Sequence, residues 1–299
     1  MPVPLLFLLT VLTWGTSWIG MKLQIDAAPV TAVFWRIMVA GAATLAGLAA
    51  LGRLPLPRAR DLPWLAGLGA CMFSTNFVLF YYASRGLPSG LLSVIFATAA
   101  LFNAVNGRIF YGDRITARMV LATLIGVAGL ALLFGPGLAS GMGPGAGVGV
   151  LCGLGGTLLF SLGNMIARRN SEAGLPVMWS TGWGMGFGAA LLAALVMISG
   201  AGFPVPATPS FLGALVYLAL FSSVAGFAAY LNLAVAVGPA RAAYTTVAAP
   251  VVALTLSWLV EGYAWDWSTV LGFALVVAGN VAVFTAPRAP PRLSVPGSG

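Results

Sequence analysis

The chain has 299 residues, 60% of them hydrophobic and only 7% charged, with a mean hydropathy of +1.00. Soluble domains carry about 25% charged residues, so this composition excludes a soluble globular domain and describes a polytopic membrane protein. The net charge of +8 does not point to nucleic acid, because the basic residues stand singly between apolar runs and form no patch.

A bilayer span needs about 20 apolar residues, and counting on that basis gives ten spans: 4–23, 30–51, 62–83, 88–110, 116–134, 146–168, 177–198, 210–235, 240–261 and 266–285. The first, Pro4 to Lys22, is expected to be a retained helix, since no Lys or Arg precedes it and no convincing cleavage site follows. Breaks fall at Asp26 to Pro29, Leu54 to Pro63, Gly86-Leu87-Pro88, Gly135 to Pro144, Gly202 to Pro209 and Gly238-Pro239. The stretch from Pro287 to Gly299 is rich in Pro and Ser and is expected to be a disordered cytoplasmic tail. Cys71 and Cys152 both lie inside apolar spans, where a thiol acts as a small hydrophobe, and they form no disulfide or metal motif.

The segment from Pro88 to Phe134 is written a second time from Gly238 to Phe284, at an offset of about 150 residues. The turn Tyr111-Gly112-Asp113-Arg114 falls over Val260-Glu261-Gly262-Tyr263, Gly112 over Gly262 and Gly129 over Gly279. Pro29 likewise matches Pro176, and Phe80 matches Tyr230. With both termini in the cytoplasm, the cytoplasmic loops hold Arg53, Arg58, Arg60, Arg108, Arg114, Arg118, Arg168, Arg169, Arg241, Arg288 and Arg292, and the opposite loops hold only Lys22 and Arg85. Five spans per half is odd, so the second half enters from the other side and the repeats are inverted. The expected fold is therefore all-α, two inverted five-helix repeats over residues 1–137 and 138–286 with the tail at 287–299.

Leu12-Thr13-Trp14-Gly15-Thr16-Ser17-Trp18-Ile19-Gly20-Met21-Lys22 resembles the first helix of EamA-type members of the drug/metabolite transporter superfamily, and Pro29 through Phe34-Trp35-Arg36 resembles their second. Gly112-Asp113-Arg114-Ile115-Thr116, followed by Gly126 and Gly129, is similar to the family's Gly-Glu-Arg signature, with Asp113 in place of Glu. In the second half the acid is Glu261, placed before its glycine. The resemblance covers nearly the whole chain and implies a ten-helix exporter of amino acids, other metabolites or drugs. Among ten-helix members, the YddG-like aromatic amino acid exporters are nearest in character. It also implies that the first to fourth and sixth to ninth helices line a cavity while the fifth and tenth lie peripherally.

Trp14 and Trp18 are one helical turn apart, as are Trp179 and Trp183, and Trp14 and Trp183 are too deep for the interfacial positions that suit Trp64, Trp265 and Trp267. They are candidates for a cavity wall, with aromatic packing between helices as the competing role. The candidate substrate-binding set is Trp14, Trp18, Asn76, Phe80, Phe96, Trp183, Tyr230, Tyr244 and Thr246. Asn103 and Asn106 share a face of the fourth helix, where hydrogen bonding between helices is the expectation. Pro250 should kink the ninth helix and release the carbonyl of Thr246. Arg36 sits about 10 Å deep, about seven residues past Pro29, where it can attract a substrate carboxylate or bind backbone carbonyls. Lys22 and Asp26 are expected to form an exposed pair near the outer surface. Glycines four apart at Gly149/Gly153, Gly182/Gly186 and Gly184/Gly188 allow close helix contact.

There is no histidine, which removes Ser-His, Cys-His and His-metal chemistry, and there is no phosphate-binding loop. All six carboxylates fall in loops or at span ends, so a proton-coupled midplane site is not expected. The expectation is an inner-membrane carrier without cofactor or metal, a monomer or weak dimer, moving small metabolites, amino acids including aromatic ones, by alternating access and without proton coupling. Alternatives are a multidrug or nucleotide-sugar carrier of the same fold, or an integral membrane enzyme or scaffold.

Overall fold

The computed structural model describes residues 1–114, 117–139, 145–200, 202–237, 244–262 and 266–284. The break at Gly238-Pro239, Arg241, Tyr263, Trp265 and the tail from Pro287 lie outside them. The described residues form helices and short connections only. We label the runs α1 (Val3–Lys22), α2 (Pro29–Ala50), α3 (Leu62–Ala70 continuing to Asn76–Gly86), α4 (Ser89–Ala97 and Ala99–Tyr111), α5 (Ala117–Ala139) and α6 (Ala146–Glu172). The remainder are α7 (Val177–Ser199), α8 (Pro209–Val216 continuing to Gly226–Val237), α9 (Tyr244–Glu261) and α10 (Trp267–Phe284). Among the described residues seven runs are long and apolar enough to cross a membrane, and shorter apolar stretches occur at Val120–Leu133, Ala248–Glu261 and Trp267–Gly279.

Helix ends follow local chemistry. Pro29 and Pro209 occupy first helical positions, where the missing N–H costs nothing. Thr208 caps α8 by accepting from the Phe211 N–H at 3.4 Å. Gly112 ends α4 at φ 68° and Gly262 follows α9 at φ 67°, the left-handed conformation that glycine adopts without a Cβ clash. Both paired turns of the two halves therefore close in the same way.

The helix pairing repeats between the halves: α3 packs on α6 as α8 packs on α1, α4 on α6 as α9 on α1, and α3 on α7 as α8 on α2. The pairs α2 with α7, α4 with α9, and α5 with α10 join equivalent helices across the halves. Lipid tails are as apolar as the helices, so close backbone approach replaces the hydrophobic effect as the driving force here. A Cβ on Gly279 would lie 2.6 Å from the Ala122 carbonyl oxygen, and one on Gly129 2.7 Å from that of Gly272, so α5 and α10 touch backbone to backbone. A Cβ on Gly69 of α3 would meet the Gly184 carbonyl of α7 at 2.6 Å.

Two helices are wound differently in the middle, at equivalent places in the two halves. Cys71–Thr75 interrupts α3 and Tyr217–Ala225 interrupts α8 as π-helix. In each, a serine donates to the carbonyl five residues back: Ser74 to Gly69 at 3.0 Å and Ser223 to Leu218 at 2.9 Å. Such segments widen a helix locally and commonly mark functional positions. The second contributes Ser222 to the cavity described next, and the first is directly followed by its lining residues Asn76 and Phe77.

Candidate functional site

A small cavity of about 50 Å³ lies between the halves, lined by residues of α1, α2, α3, α4, α6, α8 and α9. Helix α1 gives Trp14, Ser17, Trp18 and Met21, α3 gives Asn76, Phe77 and Phe80, and α4 gives Ser93 and Phe96. Arg36, Phe160, Ser222, Phe227, Ala249 and Pro250 complete it. Among the described residues none of α5, α7 or α10 lines this cavity, so α7 and its Trp183, expected in the wall, stand outside it.

The aromatic lining falls into two groups of rings. Trp18 meets Phe80 at 5.2 Å and Phe96 at 5.5 Å, and Phe96 meets Phe160 at 4.8 Å. Trp14 turns to the other wall, with ring centroids 5.4 Å from Phe227 and 5.0 Å from Tyr230. Edge-to-face and tilted contacts at these distances pack the rings against one another. Two tryptophans one turn apart thus join α1 to both halves.

Arg36 is buried, with 3% of its surface exposed. Its Nε donates to Ser223 Oγ at 3.3 Å and one terminal nitrogen to Ser222 Oγ at 3.5 Å, both long bonds. The guanidinium lies 4.3 Å over the Phe77 ring, and no described carboxylate pairs with it. Asn76, the residue before Phe77, is 1% exposed, and its Oδ1 has no hydrogen-bond partner. An unpaired buried cation and an unfilled acceptor are both costly in an apolar surround. Both residues belong to the lining of one cavity.

Of the residues singled out from sequence, Trp14, Trp18, Arg36, Asn76, Phe80, Phe96 and Pro250 meet at the cavity. Tyr230 packs behind Trp14. Trp183 belongs to α7, where its ring is 6.5 Å from Trp179 and its indole N–H has no partner. Thr246 is buried in α9, and the side chain of Tyr244 lies outside the described residues. Asn103 and Asn106 bond across to α6, to Asn164 at 3.3 Å and Ser161 at 2.9 Å.

A charge pairing is corrected as well. Lys22 does not pair with Asp26, which is exposed; it lies 3.8 Å from Glu261 and donates to the Ser84 carbonyl. Being at the end of α1, its long side chain reaches the facing ends of α9 and α3 rather than the following turn. Glu261 also accepts from the Ser89 backbone N–H at 2.9 Å and from the hydroxyls of Ser89 and Ser257. At the equivalent place in the other half, Arg168 pairs with Asp113 at 2.8 Å and Glu172 at 2.9 Å, and covers the Tyr111 ring at 3.9 Å.

Sequence reading missed Phe77, Phe160, Phe227 and the Ser222-Ser223 pair. A pair of serines inside an otherwise apolar span was the available signal for the last.

The sequence pattern of the EamA-like transporter family matches residues 1–135 and again 147–285. A protein of Streptantibioticus cattleyicolor named a probable terminal-alkyne amino-acid exporter is 28% identical over 281 residues, covering 92% of this chain and 91% of that protein. The uncharacterized inner membrane transporter YedA of Escherichia coli is 31% identical over 250 residues, covering 81% and 78% respectively. YdfC of Bacillus subtilis, an uncharacterized transporter, is 26% identical over 270 residues, covering 89% and 85%. A crystal structure sharing 21% identity superposes with a TM-score of 0.65 over 94% of this chain and 95% of its own, which supports the fold. The chain is a multi-pass membrane protein of the EamA-like transporter family, built of two copies of its repeat.

Proposed function

We propose that the protein exports small neutral or zwitterionic metabolites, amino acids and aromatic ones among them, by alternating access around the cavity between its halves. The observation that carries this reading is the lining itself: two groups of aromatic rings with one buried guanidinium as the sole charge among the lining residues. Aromatic faces suit an apolar or flat side chain, and the few polar groups fix orientation. The amino-acid export in the name of the Streptantibioticus cattleyicolor relative supports the same class. The carboxylates stand at helix ends and in connections, so transport runs down the solute gradient without protons, in the inner membrane and with cytoplasmic termini.

A nucleotide-sugar carrier would need several inward basic groups for its phosphates, and Arg36 is the single one in the lining. A drug carrier of the same fold is the second reading, favoured by the aromatic wall alone. Counterflow into proteoliposomes separates the two. Labelled L-phenylalanine competed by a panel of amino acids, planar drugs and nucleotide sugars should be displaced by amino acids. Displacement only by drugs, or flux no greater than in protein-free liposomes, would reject the reading.

A further inference from the structure

We infer that Arg36 and Asn76 form a two-part subsite that takes the α-carboxylate and the α-ammonium of one substrate, so that the cavity selects intact amino acids over the amines and acids derived from them. This rests on the transport reading above and adds to it the groups by which the substrate is held.

Arg36 is a planar cation without an anionic partner among the described residues. Its flat face rests on Phe77 at 4.3 Å, which fixes the plane of the fork, and two serine hydroxyls at 3.3 and 3.5 Å hold its edge. Ser223 spends its own proton on the Leu218 carbonyl at 2.9 Å, which turns its oxygen into an acceptor for the guanidinium. The π-helical turn of α8 is what aims that oxygen. A carboxylate supplies what is missing, since it matches a guanidinium in two parallel charge-assisted bonds.

Asn76 is the complementary half. It directly follows the π-helical turn of α3, and its buried Oδ1 has no donor from the described residues. An ammonium offers three donors and no acceptor. Asn76 and Phe77 both line the cavity and Phe77 carries the guanidinium, so the residues that hold acceptor and cation border the same space. Each half thus brings one π-segment to the ligand, and Trp18, Phe80 and Phe96 are left for the side chain.

The test is equilibrium binding of three labelled compounds to the purified protein: L-phenylalanine, phenethylamine, which lacks the carboxylate, and 3-phenylpropionate, which lacks the ammonium. The wild type should bind each analogue at least about tenfold more weakly than L-phenylalanine, as sites built to pair a polar group reject ligands without it. Arg36→Gln should weaken L-phenylalanine and phenylpropionate and leave phenethylamine unchanged; Asn76→Leu should weaken L-phenylalanine and phenethylamine and leave phenylpropionate unchanged. If Arg36→Gln does not fold, Ser222→Ala carries the test, with a loss of about threefold confined to the two carboxylates. Equal weakening of all three compounds by Arg36→Gln would mean a structural arginine and overturn the inference. Wild-type protein that binds L-phenylalanine no better than phenethylamine also overturns it, while leaving amino-acid transport standing. Failure to bind or transport L-phenylalanine at all overturns both.

Discussion

Glu261 accepts a hydrogen bond from the backbone N–H of Ser89 at 2.9 Å, so the last residue of α9 caps the first turn of α4. A carboxylate at a helix N-terminus meets the free N–H groups and the positive end of the helix dipole. Lys22 adds a third element, the end of α1. This end of the bundle is latched by partly buried charge, with side chains 20% and 17% exposed, whereas the Arg168–Asp113 pair at the other end is 41% and 48% exposed.

Replacing Glu261→Gln should lower the melting temperature by a few degrees, because charge-assisted bonds to two helices become neutral ones, a loss of about 1–2 kcal/mol. A thermal-shift assay in detergent checks it. An unchanged melting temperature would mean that the latch contributes nothing in this state.

Asp113→Asn, in contrast, should change stability by less than about 1 kcal/mol, since solvent screens an exposed pair and Arg168 keeps Glu172. The same thermal-shift assay applies, and its sensitivity to salt should be small.

Gly279→Ala should destabilise the α5/α10 contact by about 1–3 kcal/mol, since the new Cβ would meet the Ala122 carbonyl at 2.6 Å and backbone cannot yield as a side chain does. Gly213→Ala is the control, as a Cβ there meets nothing within 4 Å. Comparing the two melting curves separates crowding from helix propensity.

Phe96→Ala removes ring contacts to Trp18, Phe80 and Phe160 at once. Half-saturation for L-phenylalanine flux should rise about tenfold, and that for L-alanine far less, because only the larger ligand uses the lost ring. Equal effects on both would place Phe96 in packing rather than in recognition.

With no histidine in the chain, uptake should vary by less than about twofold between pH 6 and 8. A pH-sensitive dye inside the vesicles should stay flat during substrate flux, and a proton signal proportional to flux would refute uncoupled transport.

Hydropathy and the duplicated glycines made the helices and their pairing legible: Gly112 and Gly262, matched by sequence alone, share a left-handed φ. Trp14, Trp18, Asn76, Phe80 and Phe96 were legible for a related reason, since large aromatic or amide groups at mid-span need a wet or aromatic surround. The π-segments were not, because Ser74 and Ser223 read as ordinary small residues until their bonds five residues back are seen. The Lys22–Glu261 pair was missed because its partners are far apart in sequence and meet only when α1 packs on α9.

The most direct measurement places a cysteine at Ser93 in the cavity, with Cys71 and Cys152 replaced by alanine, and labels reconstituted protein with a membrane-impermeant maleimide from either side. A cavity that opens alternately should react from both sides, and a saturating amino acid should slow both reactions. Labelling from one side only, or at a rate indifferent to added amino acid, would contradict it.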